Sequence, residues 1–108
     1  MKIAIALKGD HLTEQLDDRF GRSKYYCIYD IETKRADFIK NNFATETDGV
    51  GKQVVDLLMG QNVKMIIACE FGRKVRTILE KNKIQMVIMQ DALLTGEDVL
   101  KKIRTDRA

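Results

Sequence analysis

The chain has 108 residues, 44% hydrophobic and 32% charged, with 19 basic against 16 acidic side chains for a formal net charge of +3. That length and apolar share suit a single domain over residues 1–108 with one compact core, and the mild, dispersed basic excess is too small to argue for a nucleic-acid partner. No apolar run approaches the roughly 20 residues that span a bilayer, and the start lacks the apolar core and cleavage site of a signal peptide, so the expectations are no membrane partner and a cytoplasmic location.

Residues 2–7, KIAIAL, alternate isoleucine with alanine and have no helix cap before them, which predicts a largely buried first strand. Residues 25–31 (YYCIYDI) and 36–40 (ADFIK) are rich in aromatic and branched side chains and are separated by four polar residues, as in a hairpin. From Val50 the period turns helical through Val54, Leu57 and Leu58, and Gly60 followed by Gln61 and Asn62 supplies a stop signal. Residues 63–69 then read as a strand, 73–83 as a helix with Val75, Ile78 and Leu79 on one face, and 84–89 as a strand, which makes a βαβ unit. Thr95 is the candidate N-cap of a last helix, with Glu97 and Asp98 in its first turn and Val99, Leu100 and Ile103 facing inward.

This order predicts an α/β fold, a five-stranded mixed sheet covered by three helices. If the first three strands form an up-down-up meander, strands one, three, four and five run the same way. Their carboxyl-end loops then share a rim, where ligands of such sheets bind.

Four segments reach that rim: residues 8–24, 41–52, 69–73 and 90–95. In the first, Asp18, Arg19, Phe20, Gly21, Arg22 and Ser23 place two guanidinium groups around a glycine, which is either an anion clasp or a solvated loop. In the second, Asp48, Gly49 and Gly51 lead into a helix. Its N-terminus either attracts an anion or is capped internally by Asp48. In the third, Cys69 ends a strand ahead of a helix N-terminus, whose dipole is expected to lower the thiol pKa; the plainer reading is a small apolar residue. Cys27, within a strand, reads as packing, and both cysteines are expected to be free thiols. His11, the only histidine, is either one ligand beside Cys69 or an exposed loop residue. A phosphoryl-transfer enzyme would need Asp10, Glu70 and Asp91 to converge on a divalent cation.

Taken in order, MKIAIAL, DRFGRSKYY, TDGVGKQVVDLL, VKMIIACEFG and TGEDVLKKI run along nearly the whole chain. The sequence in this respect resembles the dinitrogenase iron-molybdenum cofactor biosynthesis family. The resemblance implies a ribonuclease-H-like three-layer fold and a binding or carrier role rather than an enzyme. The cargo implied is an iron-sulfur or molybdenum-containing cluster, its precursor or a metal oxyanion, with a protein partner in cofactor assembly. Arg19 stands where many members have the histidine of an HFG motif, and Asp48 where many have the histidine before GxG. The two are therefore expected to form an ion pair across the rim. The candidate site is then Arg19, Phe20, Gly21, Arg22, Asp48, Gly49 and Gly51 for the cargo, with Cys69 and His11 as metal ligands. The alternative is a protein-interaction module that kept the fold without a cofactor.

Overall fold

The computed structural model describes residues 1–43 and 50–107. In chain order these form β1 (Lys2–Leu7), β2 (Tyr25–Asp30), β3 (Ala36–Lys40), α1 (Val50–Met59), β4 (Val63–Ala68), α2 (Arg73–Lys81), β5 (Gln85–Ile88) and α3 (Gly96–Arg107). The strands make one sheet in the order β3-β2-β1-β4-β5. β2 is antiparallel to both its neighbours, while β1, β4 and β5 pair in parallel. Every strand but β2 thus points the same way, and the shared rim follows.

The alternation in β1 decides what lies on each face of the sheet. Ala4 and Ala6 point to the side of α1 and α2, where they pack with Val54, Leu58, Ile66, Val75 and Leu79. Ile3, Ile5 and Leu7 point to the other side and pack with Val99 and Leu100 of α3. The sheet is therefore the middle of three layers, with the small alanines under the face that carries two helices. β4 departs from strict alternation: Val63 and Ile66 share a face although they are an odd number of residues apart. A register irregularity against Lys2 and Ile3 turns the strand there, which is what one extra residue in a ladder does.

Helix ends differ by a few residues from the sequence expectation. The helical pattern runs on to Lys83, yet α2 stops at Lys81. Lys83 adopts a left-handed backbone, φ 58°. Its N–H donates to Glu80 O at 3.0 Å, and the Ile84 N–H donates to Leu79 O at 2.9 Å. This paired closure ends a helix through one left-handed residue, and it brings Ile84 into the core beside Leu79. After α1, within the expected stop at residues 60–62, the left-handed residue is Asn62, φ 61°.

α3 starts as the sequence suggests. Thr95 Oγ1 accepts the Asp98 N–H at 3.2 Å and the Thr95 N–H donates to Asp98 Oδ2 at 3.0 Å, a reciprocal cap. The Thr95 N–H, and then the Thr95 hydroxyl, hold the Asp98 carboxyl below its ordinary pKa. Further donors of the same turn are taken by the first rim loop: Gly96 N–H by Glu14 O at 3.0 Å and Glu97 N–H by Leu12 O at 2.9 Å. The loop lies so close that a Cβ on Gly96 would stand 3.1 Å from Leu12 O. Among the described residues no helix is long and apolar enough to cross a membrane.

Candidate functional site

The rim is divided by the way its first loop folds. Residues 8–16 turn back beside β1, with the Lys8 N–H on Gln15 O at 3.0 Å, and join the β5–α3 connection through the Leu16 N–H on Leu94 O at 2.9 Å. The fourth rim segment is occupied in holding this half of the loop. The other half, from Asp17 to Lys24, turns toward α1 and α2.

That second half is held from beneath by the two buried polar residues of the described structure, Ser23 and Asn41. Ser23 Oγ lies within donating distance of Leu7 O at 3.1 Å and Tyr25 O at 2.8 Å. Asn41 Nδ2 donates to Gly21 O at 3.0 Å and Ser23 O at 2.8 Å, and its Oδ1 accepts the Phe43 N–H at 2.9 Å. The Tyr26 hydroxyl donates to Phe20 O. Burial, and then Asp17, push this phenol well above its ordinary pKa, so it stays a donor. Asp17 closes the turn by accepting the Arg19 N–H at 3.4 Å and the Lys24 N–H at 3.1 Å. The Phe20 ring, 2% exposed, packs against Tyr26 and Phe71 at centroid distances of 5.7 and 5.3 Å.

Above this support opens a cleft of about 280 Å³ lined by Arg19, Phe20, Gly21, Arg22, Gly51, Glu70, Gly72 and Val75. Ligand sites commonly begin near this size. One wall is the N-terminus of α2, whose N-cap, Gly72, makes no side-chain cap hydrogen bond. The first turn of α2 carries no acidic residue but does carry Arg73 and Lys74. Gly72 and Val75 line the cleft, so the positive dipole end of α2 borders it. α3 is capped and covered, whereas α2 is left open.

Gly51 sets how closely the two helices approach, because a Cβ there would lie 2.6 Å from Val75 Cγ2. Gly51→Ala is expected to destabilise the fold by about 1–3 kcal/mol in urea unfolding, against the small gain in helix propensity. Most of that loss should be recovered when Val75→Ala is added, giving a favourable coupling in the double-mutant cycle.

Five of the nine residues expected at the site thus share one cleft: Arg19, Phe20, Gly21, Arg22 and Gly51. Asp48 and Gly49 lie outside the described residues, and so does the expected Arg19–Asp48 ion pair. Cys69 and His11 are not among the cleft-lining residues. His11 is exposed, with Nε2 3.3 Å from Asp10 Oδ1. Cys69 is a free, partly buried thiol, and the expectation of a lowered pKa is reversed. Burial raises it first, and the carboxylates of Asp18, Asp17 and Glu70 add to this, with Lys8 opposing. Burial and the negative charge of these carboxylates both disfavour a thiolate. Cys27 is buried and pushed up to about 12, chiefly by burial. Asp10, Glu70 and Asp91 do not gather. Among the described residues no group of three or more His, Cys, Asp or Glu side chains is placed to hold a metal ion.

Three lining residues had no place in the cargo site read from sequence. Gly72 is signalled by the missing Ser, Thr, Asp or Asn ahead of α2. The sequence places Glu70 on the rim only as a carboxylate for a divalent cation, and Val75 only as a helix-face residue.

The family model described as dinitrogenase iron-molybdenum cofactor matches residues 1–106. The chain belongs to this family. Among solved structures, the apo form of the orange protein from Desulfovibrio gigas superposes with a TM-score of 0.91 at 21% identity, over 98% of this chain and 88% of that one. A Thermotoga protein of the DUF35 family that carries a provisional NifB designation gives a TM-score of 0.84 at 26% identity, over 98% and 89%. No curated protein matches the chain. The family ties the chain to the iron-molybdenum cofactor, and the neighbours share its α/β architecture.

Proposed function

We propose that the chain is a binding or carrier protein of nitrogenase cofactor assembly, in the cytoplasm. Its cargo is an anionic metal cluster, a cluster precursor or a metal oxyanion. The observation that carries this reading is a single cleft that gathers Arg19, Arg22 and an uncapped helix N-terminus. Guanidinium groups and backbone N–H groups donate hydrogen bonds and cannot ligate a metal. The cleft therefore grips the sulfido or oxo atoms on the outside of the cargo by charge-assisted hydrogen bonds. Cys69 is secondary in this reading. Its raised pKa means that a metal–thiolate bond has to displace a proton and so follows docking. Catalysis has no part in the proposal, and the cargo is handed on to a protein partner.

The test uses the helix end itself. Gly72 has ordinary extended angles, φ −66° and ψ 156°, and a Cβ added there would meet nothing within 4 Å, so an aspartate fits as an N-cap. Gly72→Asp is expected to raise stability by about 0.5–1 kcal/mol, because it satisfies the α2 donors internally. The same substitution should weaken calorimetric binding of hydrogen phosphate, sulfate and molybdate by about tenfold or more. Arg19→Ala, at an exposed position, should weaken binding by about tenfold and leave stability within about 0.5 kcal/mol. Oxyanion binding that is the same in wild type and both variants would overturn the proposal.

A further inference from the structure

We infer that Glu70 selects the cargo by what it can donate. The cleft takes an anion that brings a hydrogen-bond donor of its own and turns away one that presents acceptors only. This rests on the anion-binding reading of the same cleft.

Glu70 is the one carboxylate among the described residues that line the cleft, facing the same volume as Arg19, Arg22 and the start of α2. None of Asp10, Asp17 and Asp18 lines the cleft. Asp17 holds the loop turn through the N–H groups of Arg19 and Lys24, and Asp10 pairs with His11. Glu70 is exposed, and its carboxylate makes no hydrogen bond or ion pair among the described residues. It stands two positions before the N-cap of α2, yet the α2 N-cap makes no side-chain cap hydrogen bond. A carboxylate that neither caps the helix beside it nor neutralises the arginine across from it remains available to a ligand.

An ionised carboxylate only accepts. With donors on the other walls and one acceptor here, the lining is matched by a ligand that has several acceptors and at least one O–H, S–H or N–H. A ligand with acceptors alone turns a lone pair toward Glu70. Glu70 is exposed, so the discrimination comes from like charge facing like charge rather than from a buried group left unpaired. Hydrogen phosphate carries such a proton near neutral pH, and sulfate and molybdate do not. The chemical class is therefore a protonated oxyanion, or a metal–sulfur species that bears a hydrosulfide.

Calorimetric titration of the full chain at mildly basic pH with hydrogen phosphate, sulfate and molybdate provides the test, in wild type, Glu70→Gln and Glu70→Ala. Wild type is expected to favour hydrogen phosphate by about tenfold or more. Glu70→Gln should raise sulfate and molybdate affinity by about tenfold and leave phosphate within about threefold, which collapses the preference, and Glu70→Ala should collapse it without the amide donor. Equal binding of all three anions by wild type, or an unchanged ratio in both variants, overturns the selection by Glu70 and leaves anion binding standing. Failure of wild type to bind any of the three overturns the anion-binding reading, and this inference with it.

Discussion

Phe20→Ala is expected to cost about 3–5 kcal/mol of folding stability, the range for removing a buried aromatic ring. Phe20 is 2% exposed and sits between Tyr26 and Phe71, so its loss opens a cavity between the arginine loop and the start of α2. The surrounding elements do not close it easily, because Tyr26 belongs to β2 and Phe71 precedes α2. The measurement is urea unfolding followed by circular dichroism, read as a lower midpoint at unchanged slope. Phe20→Leu, which keeps most of the volume, should lose less than half as much. Equal losses in the two variants would show that the ring's own shape and contacts, rather than the volume it fills, carry the effect.

Asn41→Leu is expected to destabilise by about 3 kcal/mol and to loosen the cleft together with the fold. The side chain is 4% exposed and bonds Gly21 O, Ser23 O and the Phe43 N–H. Each buried polar group left without a partner costs about 1–3 kcal/mol, and an apolar replacement strands several at once. The diagnostic readout is hydrogen exchange. The amides around residues 20–24 should exchange faster in the variant than the loss of global stability explains, since the carbonyls that Asn41 anchors lie in that turn. Exchange that accelerates only in step with global stability would reduce Asn41 to a core residue with no special hold on the loop.

The layers were legible because apolar periodicity survives folding unchanged. The Ile/Ala alternation of residues 2–7 already marks a buried strand, and Thr95 with Asp98 announces α3 by chemistry that needs only four residues. What escaped was decided at a distance. Lys83 in a left-handed conformation has no compositional mark, so α2 reads two residues too long. The Cys69 thiol looks activated while its only known neighbour is a helix end, whereas burial, and then the charges of Asp18 and Asp17 from another loop, raise its pKa. The arginine cluster is visible as residues 19–22, but its partner wall at Glu70, Gly72 and Val75 comes from the second half of the chain. The buried support beneath it, Ser23, Tyr26 and Asn41, looks in sequence like ordinary loop and strand ends.

The hold on the 17–24 turn comes from main-chain carbonyls and N–H groups together with the ring of Phe20. The side chain at position 19 is exposed and supplies none of these bonds. Structure and recognition are therefore separable along four consecutive residues. Substitution at position 19 changes what the cleft touches at little cost to folding, so this loop works as a socket into which evolution or an engineer can fit a different contact without redesigning the mount.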